Sequence, residues 1–133
     1  MNTLIDSNVI IDLLSSDSPW KTWAETQIKT YFNKGALIIN PIIYAEIAYR
    51  FIDKLELDAA IPVTLLRRES LPWEAAFLAA QCYKSYRKQG GQRTTTLPDF
   101  FIGAHAAVTQ MPLLTRDVGR YSSYFPQVQL IAP

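Results

Sequence analysis

The stretch Thr3-Leu4-Ile5-Asp6-Ser7-Asn8-Val9-Ile10-Ile11-Asp12-Leu13-Leu14 (residues 3–14) decides how the chain reads. Residues 2–5 suit a strand. Asp6 breaks the apolar run, and an apolar pattern at helical spacing follows, which Asn8 can cap and which runs to about Leu14. Strand, acid, helix is the local form of a parallel α/β unit, and in such sheets ligands sit beyond the C-terminal strand ends. Three further acids fall in comparable places. Glu46 lies in the first turns of a helix after the strand Ala36–Ile39. Asp99 stands beside Pro98 at a helix start. Asp117 follows Leu113-Leu114-Thr115.

Working outward, strands and helices alternate. Ser18-Pro19 reads as an N-cap and N1 pair opening a helix to about Asn33, which Gly35 ends. After the strand 36–39, Asn40-Pro41 starts a helix through about Ile52, with Ile43, Ile47 and Phe51 on one face. Leu55–Ile61 reads as a short helix broken by Pro62, and Leu65–Glu69 as helix or strand. Trp73–Lys88 is helical, with Trp73, Phe77, Ala80 and Lys84 along one side, and Gly90-Gly91 ends it. A polar loop, Gln92–Thr96, leads to a helix over Leu97–Val108. Then come a strand at Pro112–Thr115, a turn or helix at Tyr121–Phe125 and a last strand at Val128–Ile131. This order implies an α/β fold: one parallel sheet of four to five strands, covered on both faces by helices.

The chain's 133 residues correspond to one domain, residues 1–133, and 49% hydrophobic content suits a packed core without disulfides. No apolar run approaches the roughly 18–20 residues of a membrane span, and no basic segment precedes Asp6, so neither a membrane anchor nor a signal peptide is expected. Cys82 is the single cysteine and reads as a buried reduced thiol, which fits a cytoplasmic location. Net charge is +1, but it is unevenly spread. Residues 1–66 carry five basic and eight acidic side chains, and residues 67–133 carry eight and four. Lys84, Arg87, Lys88 and Arg93 form an acid-free basic run, which reads equally as a phosphate contact or as a solvated helix end.

Four blocks carry a resemblance: LIDSNVIIDLL (4–14), NPIIYAEIAYRF (40–51), TLPDFFIGAHA (96–106) and LLTRDVGRY (113–121). In order and spacing they resemble the sequence blocks of PIN-domain ribonucleases, specifically VapC-type toxins of bacterial toxin–antitoxin pairs, over nearly the whole chain. Asp6 and Asp99 match the family's metal-binding aspartates, Glu46 its glutamate and Asp117 its last acid. Asn8 matches the small polar residue after the first acid, and Thr115 the hydroxyl residue that supports the site. The resemblance implies a PIN-like α/β/α domain and a Mg²⁺- or Mn²⁺-dependent endoribonuclease. It also implies a homodimer inhibited by a small cognate antitoxin.

The residues themselves support hard-cation chemistry, since carboxylates without a His or Cys cluster favour Mg²⁺ or Mn²⁺ over softer metals. Asp6 and Asp99 are expected as direct ligands, Glu46 as a direct or water-mediated one, and Asp117 as part of a second position. Each acid also has a structural reading. Asp6 suits an Asx-turn, Asp99 the N3 position of a capping box with Thr96, Glu46 an exposed helix face, and Asp117 a turn before Gly119. Arg116 and Arg120 read as RNA-phosphate contacts or as partners of the acids. His105 reads as packed rather than as a base, Ser7 has no His to make it a nucleophile, and Trp20, Trp23, Tyr44 and Tyr49 read as core or dimer-face aromatics. Two other functions compete. A small-molecule phosphatase would use a D-x-D motif, but Asn8 holds the second position. A non-catalytic RNA- or protein-binding module would bind no divalent ion.

Overall fold

The apolar triplets of the sequence become the middle of a sheet. In the computed structural model, which describes residues 1–90 and 95–133, β1 (Thr3–Ile5), β2 (Leu37–Ile39), β3 (Leu66–Arg68), β4 (Leu113–Leu114) and β5 (Leu130–Ile131) pair side by side. Their order is β3-β2-β1-β4-β5, and every pair is parallel. Thr3 lies opposite Leu37, Leu4 opposite Leu113, and Ile5 opposite Leu114. The strands β1, β2 and β4 are buried on both faces, which is why their residues run apolar without alternating. Each fully buried Leu or Ile there contributes about 1.5–3 kcal/mol.

Among the described residues seven helices cover the sheet: α1 (Ser7–Leu14), α2 (Lys21–Phe32), α3 (Pro41–Ala48), α4 (Lys54–Ala60), α5 (Trp73–Lys88), α6 (Leu97–Thr109) and α7 (Val118–Ser122). The chain steps outward from β1 to β2 to β3, then returns through α5 and α6 to β4 on the other side of β1. The strand order therefore reverses between β1 and β4. That reversal opens a crevice at the C-terminal ends of those two strands.

The fold is the α/β arrangement expected, with differences at element ends. Asp6, not Asn8, caps α1, its carboxylate accepting the Ser7 N–H. The helix α2 starts at Lys21 rather than beside Pro19, because the Ser18 hydroxyl accepts the Trp20 N–H and holds Pro19-Trp20 in a turn. The helix α3 ends at Ala48, where the bonds tighten to Arg50 N–H→Ile47 C=O and Phe51 N–H→Ala48 C=O. Phe51 thus reaches the core from beyond the helix. Residues 66–68 resolve as an edge strand, and α7 starts at Val118, three residues before the expected turn. On α5 the side bearing Trp73 and Phe77 faces solvent, while Ala75 and Ala79 are buried. Cys82 is free and partly buried, its thiol directed at the Tyr124 carbonyl. The expectations for Gly91, Gln92, Arg93 and Thr94 lie outside the described residues. No described helix is long and apolar enough to cross a membrane.

Close packing of α5 and α6 depends on small residues and one aromatic cluster. Phe100 meets Tyr83, Tyr86, Tyr124 and Phe125 with ring centroids 5.4–6.0 Å apart. Gly103, one turn further along α6, lies under Phe125, where a Cβ would come within 2.4 Å of the ring. Replacing Gly103 by Ala should therefore destabilise the protein by about 1–3 kcal/mol despite the gain in helix propensity. Urea unfolding of Gly103→Ala would measure this, and an unchanged or higher stability would show that Phe125 moves aside freely.

Candidate active site

Four segments bring the acids to one edge. Asp6 follows β1 and caps α1, Glu46 projects from α3, Asp99 is the third residue of α6, and Asp117 caps α7. Ser7 Oγ donates to Glu46 Oε1 at 2.8 Å, which joins the first acid's helix to the second acid. Arg120 lies 3.3 Å from Asp99 Oδ1 and 3.2 Å from Asp117 Oδ2, which joins the third acid to the fourth. The cluster opens into a concavity of about 870 Å³ lined by Ser7, Glu46, Arg50, Arg116, Asp117 and Arg120, among others. A second concavity, about 750 Å³, lies past β2 and β3 against Pro41, Tyr44, Val63 and Arg68, and none of the four acids lines it.

Asp6 is fully buried, and its two oxygens have different duties. The Oδ2 atom accepts from Thr115 Oγ1 at 2.8 Å, Tyr121 Oη at 2.8 Å and Asn8 Nδ2 at 3.2 Å. The Oδ1 atom accepts only the Ser7 N–H, at 2.8 Å, and keeps a lone pair free. Asp99 is divided the same way. Its Oδ2 accepts the Thr96 N–H and hydroxyl, completing the capping box read from sequence, while its Oδ1 faces Arg120. Asp117 Oδ1 accepts the Arg120 N–H, and its Oδ2 turns to the Arg120 side chain. The capping readings of Asp6 and Asp99 therefore hold, and at Asp99 and Asp117 the oxygen not used for capping is left to Arg120.

Asn8 and Thr115 take the supporting places expected for them. Asn8 Nδ2 also reaches Thr115 Oγ1 at 3.4 Å, its Oδ1 accepts the Arg116 N–H, and Thr115 Oγ1 accepts the Asp117 N–H. Three participants escaped the sequence reading: Ser7, Tyr121 and Arg50. Tyr121 looks like an ordinary core aromatic, and only the tertiary fold shows its hydroxyl on Asp6. Arg116 and Arg120 also separate. Arg116 pairs with Asp12 through Nε and Nη2 and stacks over Trp20 at 5.4 Å, so it serves a fifth acid rather than the cluster. His105 is packed as expected, its Nδ1 3.0 Å from Asn40 Nδ2. Tyr44 donates to Asp58, whereas Tyr49 is almost fully exposed.

Burial raises Asp6 above its usual 3.8, against the hydrogen bonds from Thr115, Tyr121 and Ser7 and the field of Arg120. Burial likewise raises Glu46 above 4.5; the Ser7 hydroxyl holds it back, the Asp6 and Asp99 charges push it further, and Arg120 opposes. Burial disfavours the Arg120 charge, but Asp99, Tyr121, Asp117 and Asp6 outweigh it and hold the guanidinium more firmly protonated than usual. The acids therefore share one electrostatic field, and a cation relieves it.

The donor set suits a hard divalent ion, being all carboxylate oxygen, and the cluster already shelters a cation in Arg120. Among the described residues no three His, Cys, Asp or Glu side chains converge closely enough to form a ready ion cage. The Arg120 guanidinium lies between Asp99 and Asp117. Asp6 Oδ1, Asp99 Oδ1, Glu46 and Asp117 Oδ2 are the groups that would hold an ion.

Two outcomes follow for the metal-free protein. Tyr121→Phe removes a donor from a buried carboxylate and should cost about 1.5–3 kcal/mol in urea unfolding with EDTA; a negligible loss would mean that Tyr121 does not support Asp6. Glu46 has a folded-state pKa above its unfolded 4.5, so its contribution is fully present below that pH and lost as pH rises through the raised value. Glu46→Gln cannot ionise. In EDTA it should melt with the wild type below about pH 4.5 and above it at neutral pH. Equal neutral-pH melting would contradict the repulsion among these acids.

Known proteins provide an independent comparison. The sequence matches the PIN domain family over residues 3–122. No curated protein matches it closely enough to count as a relative. The fold resembles VapBC2 from Rickettsia felis, solved with a DNA fragment from its promoter, with a TM-score of 0.77 at 15% identity, covering 99% of this chain and 98% of that one. It also resembles VapBC-1 from nontypeable Haemophilus influenzae, with a TM-score of 0.76 at 18% identity, covering 99% and 98%. FitAcB from Neisseria gonorrhoeae matches with a TM-score of 0.74 at 18% identity, covering 98% and 97%. With the family's sequence pattern spanning nearly all of it and its acids gathered at the switch point of the sheet, the chain belongs to the PIN domain family.

Proposed function

We propose that the chain is a divalent-metal-dependent endoribonuclease that acts as the toxin of a toxin–antitoxin pair. One observation carries this reading: acids from four separate segments are joined at one edge, Glu46 to the Asp6 segment through Ser7 and Asp99 to Asp117 through Arg120, with Glu46 and Asp117 lining the concavity there. Family membership and fold likeness to VapBC and FitAcB structures support it. Mg²⁺ or Mn²⁺, when bound, would offset phosphodiester charge and lower the pKa of a bound water.

The protein's own groups do the rest. Asp6 and Asp99 would hold the ion, and the hydrogen bonds on their Oδ2 atoms keep both carboxylates oriented. Asp117 completes the acidic wall. Glu46, half-buried and with raised proton affinity, accepts a proton from the attacking water more readily than an ordinary carboxylate. Arg50 and Arg116 line the same concavity and would contact RNA phosphates.

Partners belong to this reading too. Tyr49, Ile52, Leu55, Trp73 and Phe77 are largely exposed, and apolar surface of that kind supports a homodimer and a bound antitoxin. A cytoplasmic location, where RNA and a neighbour-encoded antitoxin would be met, is part of the same proposal.

The decisive experiment is sequencing of RNA ends after expression of the wild-type chain and of Asp6→Asn, with purified protein assayed beside it. Cleavage should need Mg²⁺ or Mn²⁺, stop with EDTA and fall roughly 100-fold or more in Asp6→Asn and Asp99→Asn. Variants that cut RNA as well as the parent would end the nuclease reading. A copurifying small protein encoded beside the chain would support the toxin role, and its absence would count against that role alone.

A further inference from the structure

Arg120 occupies an unusual position for a surface arginine on a five-residue helix. Its side chain is only 27% exposed and is held between two acids, Nη1 at 3.3 Å from Asp99 Oδ1 and Nε at 3.2 Å from Asp117 Oδ2. Those are the oxygens that Asp99 and Asp117 do not spend on capping their helices. Its charge also lowers the proton affinity of Asp6 and Glu46, so its field reaches all four acids while its contacts are to Asp99 and Asp117. Arg116, four residues earlier, cannot substitute, because Asp12 and the Trp20 ring already hold it.

We propose that Arg120 is the internal counter-cation of the metal-free centre: its guanidinium holds Asp99 and Asp117 where a divalent ion would, and the ion binds only as Arg120 lets go. The inference rests on the metal-dependent reading above. A carboxylate oxygen in ion-pair contact with the guanidinium cannot take a metal at ligand distance without displacing it, and two cations a few ångströms apart repel inside a partly buried pocket. Arg120 and the ion therefore compete for the same oxygens. The competition has two consequences. Without metal, Arg120 neutralises acids that would otherwise repel one another. With metal, part of the ion's binding free energy goes into releasing Arg120, so the affinity of the wild type is lower than its donor set allows.

The test uses the full chain. Mn²⁺ is titrated calorimetrically into the wild type, Arg120→Gln and Asp6→Asn, all stripped with EDTA and dialysed. Arg120→Gln should bind Mn²⁺ roughly 5-fold tighter or more, the lower end of ordinary coupling between two sites. Its metal-free form should melt lower than the wild type, and its melting temperature should rise more on adding Mn²⁺. In parallel, the Arg120 Nε–H resonance of the wild type, assigned by its absence from Arg120→Lys, is followed during Mg²⁺ titration. It should shift as the ion saturates, because the carboxylate beside it is withdrawn, which decides the matter even if Arg120→Gln does not fold. Equal or weaker Mn²⁺ binding by Arg120→Gln, or a resonance unmoved at Mg²⁺ saturation, would overturn the inference while leaving the metal centre in place. Absence of Mn²⁺ binding by both wild type and Arg120→Gln would overturn the metal reading and this inference together.

Discussion

A fully buried carboxylate at the end of the central strand governs the rest of this molecule. Burying an ionised group is costly unless hydrogen bonds replace the lost water, and Asp6 meets four donors, from Ser7, Asn8, Thr115 and Tyr121. Those donors come from α1, from the end of β4 and from α7. Satisfying one charge therefore ties together the central strand, its neighbour across the switch point and two helices. The sheet register matters for the same reason. With Ile5 opposite Leu114, the residues that follow, Asp6 and Thr115, emerge side by side.

The division of labour within each carboxylate explains how one cluster can serve both stability and chemistry. A carboxylate has two oxygens and about four acceptor sites. Asp99 and Asp117 each use one oxygen to cap a helix and turn the other to Arg120, while Asp6 spends Oδ1 on the α1 cap and Oδ2 on core donors. Those bonds fix each side chain's direction. A site whose groups are locked by the fold loses little entropy when it engages a ligand. The cost is the burial of charge, which raises the proton affinity of Asp6 and Glu46, with the Asp6 and Asp99 charges adding to it at Glu46. Proteins commonly accept such local destabilisation where function is carried.

Two arginines four residues apart serve different acids. Arg116 is taken by Asp12 and Trp20 and braces α1 against the segment after β4. Arg120 is turned inward by the single turn of α7 and faces the acids. Nothing in the local pattern Thr115-Arg116-Asp117-Val118-Gly119-Arg120 separates the two roles, since either arginine could reach an acid in an extended chain.

The alternation of strand and helix, the apolar character of the doubly covered strands and the four acids at strand ends or helix starts were all legible in the sequence. They are local properties, set by side-chain period, capping chemistry and the few ways a parallel sheet can be connected. Element ends were less legible, because Ser18 and the turn after Ala48 were settled by competing hydrogen bonds. Three matters were decided only in three dimensions: that Tyr121 rather than another aromatic reaches Asp6, that Arg120 rather than Arg116 joins the cluster, and that the Ser7 hydroxyl reaches Glu46. These depend on contacts between residues distant along the chain, as with Thr115 and Asp6, and no local propensity encodes the direction in which a folded side chain finds its partner.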